Sequence, residues 1–81
     1  MNVLSLDGRP DLMISLVVPV HNEEAAIAPF LTAVTTAVEP LVASGYRFEL
    51  LFINDGSRDG TLLRLIEAQQ QDRRIRILDL S

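Results

Sequence analysis

Cysteine is absent from the 81 residues, which excludes a disulfide framework, a thiolate metal site and a cysteine nucleophile, and fits a reducing compartment. Histidine occurs once, so no pair of imidazoles is available to a metal ion. Basic residues number 7 against 11 acidic ones, for a net charge of -4. Apart from Arg73-Arg74-Ile75-Arg76 the basic residues form no cluster, which argues against a polyanion-binding face and therefore against nucleic acid as a partner. No apolar run approaches the roughly 18 residues of a bilayer span, and the first residues, with Asp7, Arg9 and Asp11, do not make a signal peptide. A cytoplasmic location with no membrane span in this segment is expected, any membrane contact coming from residues past Ser81. Neither Gly-x-Gly-x-x-Gly nor a P-loop pattern follows the first apolar run, so backbone cradling of a pyrophosphate there is not supported. Internal repeats and low-complexity stretches are also missing.

What is present is an ordinary globular balance of 48% apolar and 22% charged residues, too apolar for a disordered chain. A domain this short buries only about 60 to 65% of its unfolded surface, so its stability is marginal. Residues 1–13, with the turn-like Asp7-Gly8-Arg9-Pro10, form a leader. Residues 14–81 alternate strand and helix patterns. Ile14 to Val20 is short, β-branched and apolar on both alternating faces, as expected of a strand covered on two sides. Pro19 cannot donate to a ladder and marks the end of regular pairing. Ile27, Phe30, Leu31, Val34, Val38 and Leu41 form one helical stripe. Pro29 suits a first turn, which predicts a helix start near Ala28 with His21 to Ala26 as loop. Pro40 should kink or end that helix, and Ser44-Gly45 stop it. Phe48 to Asn54 is the second strand, Asp55-Gly56-Ser57 a tight turn, and Asp59 or Thr61 a helix cap. Leu62, Leu65, Ile66 and Gln69 mark the inner stripe of the next helix, and Ile75 to Leu80 is a third strand.

The fold class is therefore α/β, a three-stranded parallel Rossmann-like βαβαβ half with strand order 3-2-1. Two right-handed crossovers in that order place both helices on one sheet face. The other face, with Val17, Leu51 and Ile53, is left bare, as are both edges. So much open apolar surface implies either a fragment of a larger domain or self-association of the isolated chain.

Two acidic stretches carry the chemistry: Pro19-Val20-His21-Asn22-Glu23-Glu24 and Asn54-Asp55-Gly56-Ser57-Arg58-Asp59-Gly60-Thr61. Each follows a strand, so both emerge at the carboxyl rim of a parallel sheet, where ligands bind in open α/β folds. Carboxylates, an imidazole and an amide there can accept from ribose hydroxyls or a base N–H. Asp55, ending the second strand, is the strongest single candidate, because an acidic residue in that place receives a ribose hydroxyl in dinucleotide-binding sheets. Each residue also has a structural explanation. Asn22, Glu23 and Glu24 suit the positive end of a helix, Asp55 forms an Asx-turn, Asp59 and Thr61 cap, and a lone His21 is a hydrogen-bonded loop residue.

Taken jointly, the two stretches resemble the opening of family 2 inverting glycosyltransferases, and most closely the branch of dolichyl-phosphate mannosyltransferases and bacterial polyprenyl-phosphate glycosyltransferases. The resemblance runs from Ile14 to Ser81. It implies the N-terminal part of a glycosyltransferase-A-type fold that binds a nucleoside-diphosphate sugar, with a polyprenyl phosphate as acceptor and a role in cell-wall or glycolipid biosynthesis at the cytoplasmic face of a membrane. By position, Pro19, His21 and Glu23 would line the nucleoside pocket from the first loop and Ile53 and Asp55 from the second. Two departures stand out: His21 where relatives often carry tyrosine, and Asn54 where aspartate is common. The family's Asp-x-Asp motif, which holds Mg²⁺ or Mn²⁺, and its catalytic base are not found in this sequence. The expectation is an inactive fragment with no catalytic or metal-binding residue of its own. The alternative is a non-catalytic α/β module, receiver-like or partner-binding, that uses the same rim for protein contacts.

Overall fold

The computed structural model describes residues 13–80, so the leader, apart from Met13, and Ser81 lie outside the described residues. The element order is β1 (Met13–Val20), α1 (Glu24–Ala43), β2 (Arg47–Asn54), α2 (Thr61–Gln71) and β3 (Ile75–Asp79). Met13 opens β1 rather than closing the leader. The sheet order is β1-β2-β3, all parallel. Counted from the opposite edge these are the neighbours of the expected 3-2-1 order, with β2 central.

Strand parity decides the layering. Ile14, Leu16, Val18 and Val20 of β1 and Phe48, Leu50 and Phe52 of β2 are buried, while the residues between them are only partly covered. Because side chains alternate along a strand, every buried position of β1 and β2 points to one face. Both helices pack there: Ile27, Phe30, Leu31, Val34 and Val38 of α1 and Leu65 and Ala68 of α2 join that core. Phe30 meets Phe52 edge-on, with ring centroids 6.1 Å apart, the arrangement that ring quadrupoles favour. The opposite face, including Val17, Leu51 and Ile53, is uncovered by any helix, and Leu78 on it is 48% exposed.

Helix α1 departs from expectation at both prolines. It starts at Glu24, and Pro29 is its sixth residue, past the positions whose N–H groups lack intrahelical partners. The early start is held from outside the helix, by side chains of the loop before α2 described below. Pro40 neither ends nor shortens the helix, which runs on to Ala43. Its stop is the predicted Ser44-Gly45 step: Gly45 takes φ +104°, its N–H reaches Val42 O and the Tyr46 N–H reaches Leu41 O, a Schellman closure. With 20 residues, α1 is also long and apolar enough by length and composition to cross a membrane, contrary to the expectation that no such stretch exists. Alanine and threonine between the larger apolar residues disguise it as a run. Here its Ile27–Val38 stripe lies against the sheet.

The inner face of α2 keeps the expected Leu65 but pairs it with Thr61 and Ala68 in place of Leu62, Ile66 and Gln69; Thr61 and Leu65 are fully buried and Ile66 is 40% exposed. Small and polar side chains take positions that the apolar count assigned to larger neighbours. Pro19 stays in register with Ile53 and does not end the pairing. The Val20 carbonyl accepts from the Asp55 N–H, so the preceding residue turns its nitrogen to the open edge, where a missing donor costs nothing.

This single-faced sheet predicts asymmetric mutational costs. Phe52→Ala should destabilise the chain by about 3–5 kcal/mol, whereas Leu51→Ala, one residue away on the open face, should cost about 1 kcal/mol, as read by urea denaturation. Equal costs would contradict the layering.

Candidate functional site

The three strands end level, with Val20 paired to Asn54 and Asn54 to Asp79. The β1–α1 loop and the β2–α2 loop leave from adjacent strands and are therefore about 5 Å apart at their origin. They are tied together by side chains along their whole length. The Glu23 N–H donates to Thr61 Oγ1 at 2.8 Å and the Glu24 N–H to Asp59 Oδ2 at 3.3 Å. In return, the Gly60 N–H donates to Glu24 Oε1 at 3.1 Å. These are the unsatisfied donors that every helix N-terminus leaves; α1 is capped from across the junction, and α2 both by Glu24 and by Asp59 of its own loop, whose Oδ1 accepts from the Thr61 N–H at 2.9 Å. The residue preceding α1, Glu23, makes no side-chain cap of its own.

Closer to the rim, Asn22 adopts φ +48°, a left-handed conformation that asparagine tolerates better than most residues. Its N–H donates to Ser57 Oγ at 3.0 Å and its Oδ1 accepts from the Arg58 N–H at 2.7 Å. Ser57 in turn donates to Asn54 Oδ1, and Asn54 Nδ2 donates to Asp79 Oδ1 at 3.1 Å. Asn54 is 1% exposed. An aspartate there would lose the donor and face Asp79 with like charge, which gives the departure from the family pattern a local physical cause.

The expected site residues fall as follows. Pro19 and Ile53 are register partners, half-buried on the sheet face that the helices leave open. His21 is exposed; its Nδ1 lies 2.6 Å from the Asp55 carbonyl oxygen, and its N–H donates to Glu23 Oε2 at 3.3 Å. Glu23 is partly buried and Asp55 exposed. Thus one residue, His21, touches both acidic candidates. The convergence of Glu23 and Asp55 at one rim is observed. Asn22, Asn54, Ser57 and Thr61, which hold this rim together, were not singled out as a set by the sequence; only the recurrence of Asx and hydroxyl residues in both loops signalled them. A groove of about 1010 Å³ opens between α1 and α2 and runs from Asp59 to Gln71 along α2, lined in part by Glu23, Glu24, Leu31 and Arg64. Of the five candidates it includes only Glu23, so it lies on the helix side, apart from the Pro19–Ile53 surface.

Among the described residues no three His, Asp or Glu side chains converge to hold a metal ion. The described residues do not fit a divalent cation.

The comparisons with known proteins agree with this architecture. The Glycosyl transferase family 2 model matches residues 15–81, and the chain belongs to that family. It is 35% identical over 68 residues, 84% of its length, to an "Uncharacterized glycosyltransferase" of Synechocystis sp. (strain ATCC 27184 / PCC 6803 / Kazusa), of which it spans 20%. Family membership sets aside the receiver-like alternative. The narrower likeness to dolichyl-phosphate mannosyltransferases receives no support from these matches.

Asp59 sits at the centre of the loop junction. The Thr61 hydroxyl bonded to its carboxylate, with the Thr61 and Glu24 N–H groups, holds its pKa below the ordinary 3.8, against a smaller opposing effect of desolvation. A carboxylate depressed on folding contributes stability that is present above its unfolded value and is lost as pH falls through the folded one. The junction should therefore weaken on acidification below about pH 3.8. Asp59→Asn should flatten that limb of the stability–pH curve; an unchanged acid limb would show that Asp59 does not link the loops.

Proposed function

We propose that this chain is the nucleotide-sugar-binding half of a glycosyltransferase domain that moves a sugar from a nucleoside diphosphate to an acceptor, with a polyprenyl phosphate as that acceptor. The observation that carries the reading is the meeting of Glu23 and Asp55 around His21 at the carboxyl rim, beside the open apolar pair Pro19 and Ile53. Apolar wall and carboxylates together suit a nucleoside: the flat base lies against Pro19 and Ile53 while Asp55 accepts a base N–H and Glu23 a ribose hydroxyl. His21 completes the pocket between them. None of these residues is positioned as a catalytic base, and Mg²⁺ or Mn²⁺ for the diphosphate would be held by other residues of the intact enzyme. Work at the cytoplasmic face of a membrane, in cell-wall or glycolipid synthesis, follows from the proposed acceptor.

Binding is the direct test. The intact protein should bind UDP or GDP in the presence of Mg²⁺ or Mn²⁺, and Asp55→Ala should weaken that binding about tenfold or more, since a hydrogen bond to a charged group contributes roughly 1.5–3 kcal/mol. Unchanged affinity by calorimetry would count decisively against Asp55.

The bare sheet face bears on the 81 residues when they stand alone. We propose that a second copy covers it. The face carries exposed Leu78 beside Val17, Leu51 and Ile53, and its own charge pair, Arg76 and Glu49 at 3.7 Å, so a two-fold-related copy can meet apolar with apolar and acid with base. Sedimentation of the 81-residue chain should show dimers or larger species; a clean monomer at high concentration would refute it.

A further inference from the structure

We infer that His21 serves the nucleoside site as a positioning residue, locked in its Nδ1–H tautomer by a closed hydrogen-bond circuit between the two loops. The inference rests on the nucleotide reading above but makes a claim of its own. The circuit starts at Arg58, whose N–H donates to Asn22 Oδ1 at 2.7 Å. That bond fixes which end of the Asn22 amide faces the backbone, so Nδ2, which carries only hydrogens, is the end that lies 3.2 Å from His21 Nε2. Nε2 must then accept, and the proton of the neutral ring resides on Nδ1. Nδ1 lies 2.6 Å from the Asp55 carbonyl oxygen, which can only accept. Every donor in the chain thus finds an acceptor, and the path leaves the second loop at Arg58 and returns to it at Asp55.

The consequence falls on Asp55. Its N–H is held by Val20 and its carbonyl by His21, so both ends of its peptide environment are pinned while its side chain stays exposed. A carboxylate on a fixed backbone has fewer conformations to lose when a ligand binds. The imidazole's two nitrogens are both engaged by the protein, so its contribution runs through Asp55 and not through hydrogen bonds from its ring to a ligand.

Two readouts test this. In the intact protein labelled with ¹⁵N-histidine, a long-range ¹H–¹⁵N correlation spectrum, with the His21 signal assigned by its loss in His21→Ala, should show Nδ1 protonated and Nε2 bare. Calorimetry with UDP and GDP should show His21→Ala weakening the binding about tenfold at nearly unchanged melting temperature. His21→Asn, whose amide nitrogen can occupy the place of Nδ1, should restore most of the loss, whereas His21→Gln, which places its amide farther out, should not. An Nε2-protonated ring in a protein that binds nucleotide would overturn the positioning role alone. Equal losses in His21→Ala and His21→Asn would do the same and point to direct ring contact. Failure of the unaltered protein to bind UDP or GDP would overturn the nucleotide reading along with it.

Discussion

The unsatisfied donors at two helix starts govern this structure. An isolated helix leaves its first N–H groups without partners, and sequences usually supply a local cap. Here much of the supply crosses between them: Thr61 at the head of α2 and Asp59 of the loop before it serve the start of α1, Glu24 of α1 serves Gly60, and Asp59 serves the Thr61 N–H as well. Thr61 does this from full burial, accepting from Glu23 and donating to Asp59, so its hydroxyl is satisfied both ways. The exchange explains why α1 can begin five residues before a proline, and why the two loops keep a common geometry even though each is short of regular structure. Gly60 is part of the same device. A Cβ there would strike the Glu24 carboxylate, so the close approach of that carboxylate to the backbone requires a residue without one.

Much of the fold was legible because short apolar β-branched runs and the helical period are strong local signals. Both strands read as apolar runs on both faces, topology named Val17, Leu51 and Ile53 as the bare face, and the structure buries the alternate positions, Ile14 to Val20 and Phe48 to Phe52. The Ser44-Gly45 stop was equally plain, since only a residue at ease with positive φ closes a helix in that way. Where the reading failed, the cause was information held elsewhere in the chain. Pro29 looked like a first-turn residue because nothing near it in sequence announces that Thr61 and Asp59 hold the turns before it. Leu62 and Ile66 outweighed Thr61 and Ala68 because an apolar count rewards size, whereas the inner face of a short helix close to a loop selects what fits. Pro40 passed through α1 because that part of the helix is exposed, where water can satisfy the carbonyl it leaves without a donor.

The site was legible to a different depth. That both acidic loops reach one rim follows from parallel strands with right-handed crossovers, and the pairing Val20–Asn54–Asp79 bears it out. What the sequence did not show is the division of labour within the loops. Asp59 and Thr61 were read as local caps; Asp59 does cap α2 through the Thr61 N–H, and both also cap α1 across the loop junction. Asn54 was read as a departure from the family pattern, yet its amide is the one group that can both accept from Ser57 and donate to Asp79. Such networks are set by side-chain geometry between loops and have no period or spacing to betray them.

The two sheet faces place the chemistry. The helices cover one face, and the loop network of Asn54, Ser57, Thr61 and Asp59 continues that covered side. Pro19 and Ile53, one residue before the ends of their strands, have the opposite parity and belong to the open side. Asp55 leaves β2 two residues beyond Ile53 and is exposed. A flat ligand set against Pro19 and Ile53 would therefore meet apolar surface without displacing any part of the core, while the groove between the helices, which Ile27 and Leu31 line together with charged and small residues, lies on the other side of the sheet. The hydrogen bonds of the loops build the rim, while the apolar side chains of Pro19 and Ile53 beside it lie on the face that no helix covers. That separation lets one short βαβαβ unit keep its own loops ordered and still leave the apolar surface of Pro19 and Ile53 uncovered by its helices.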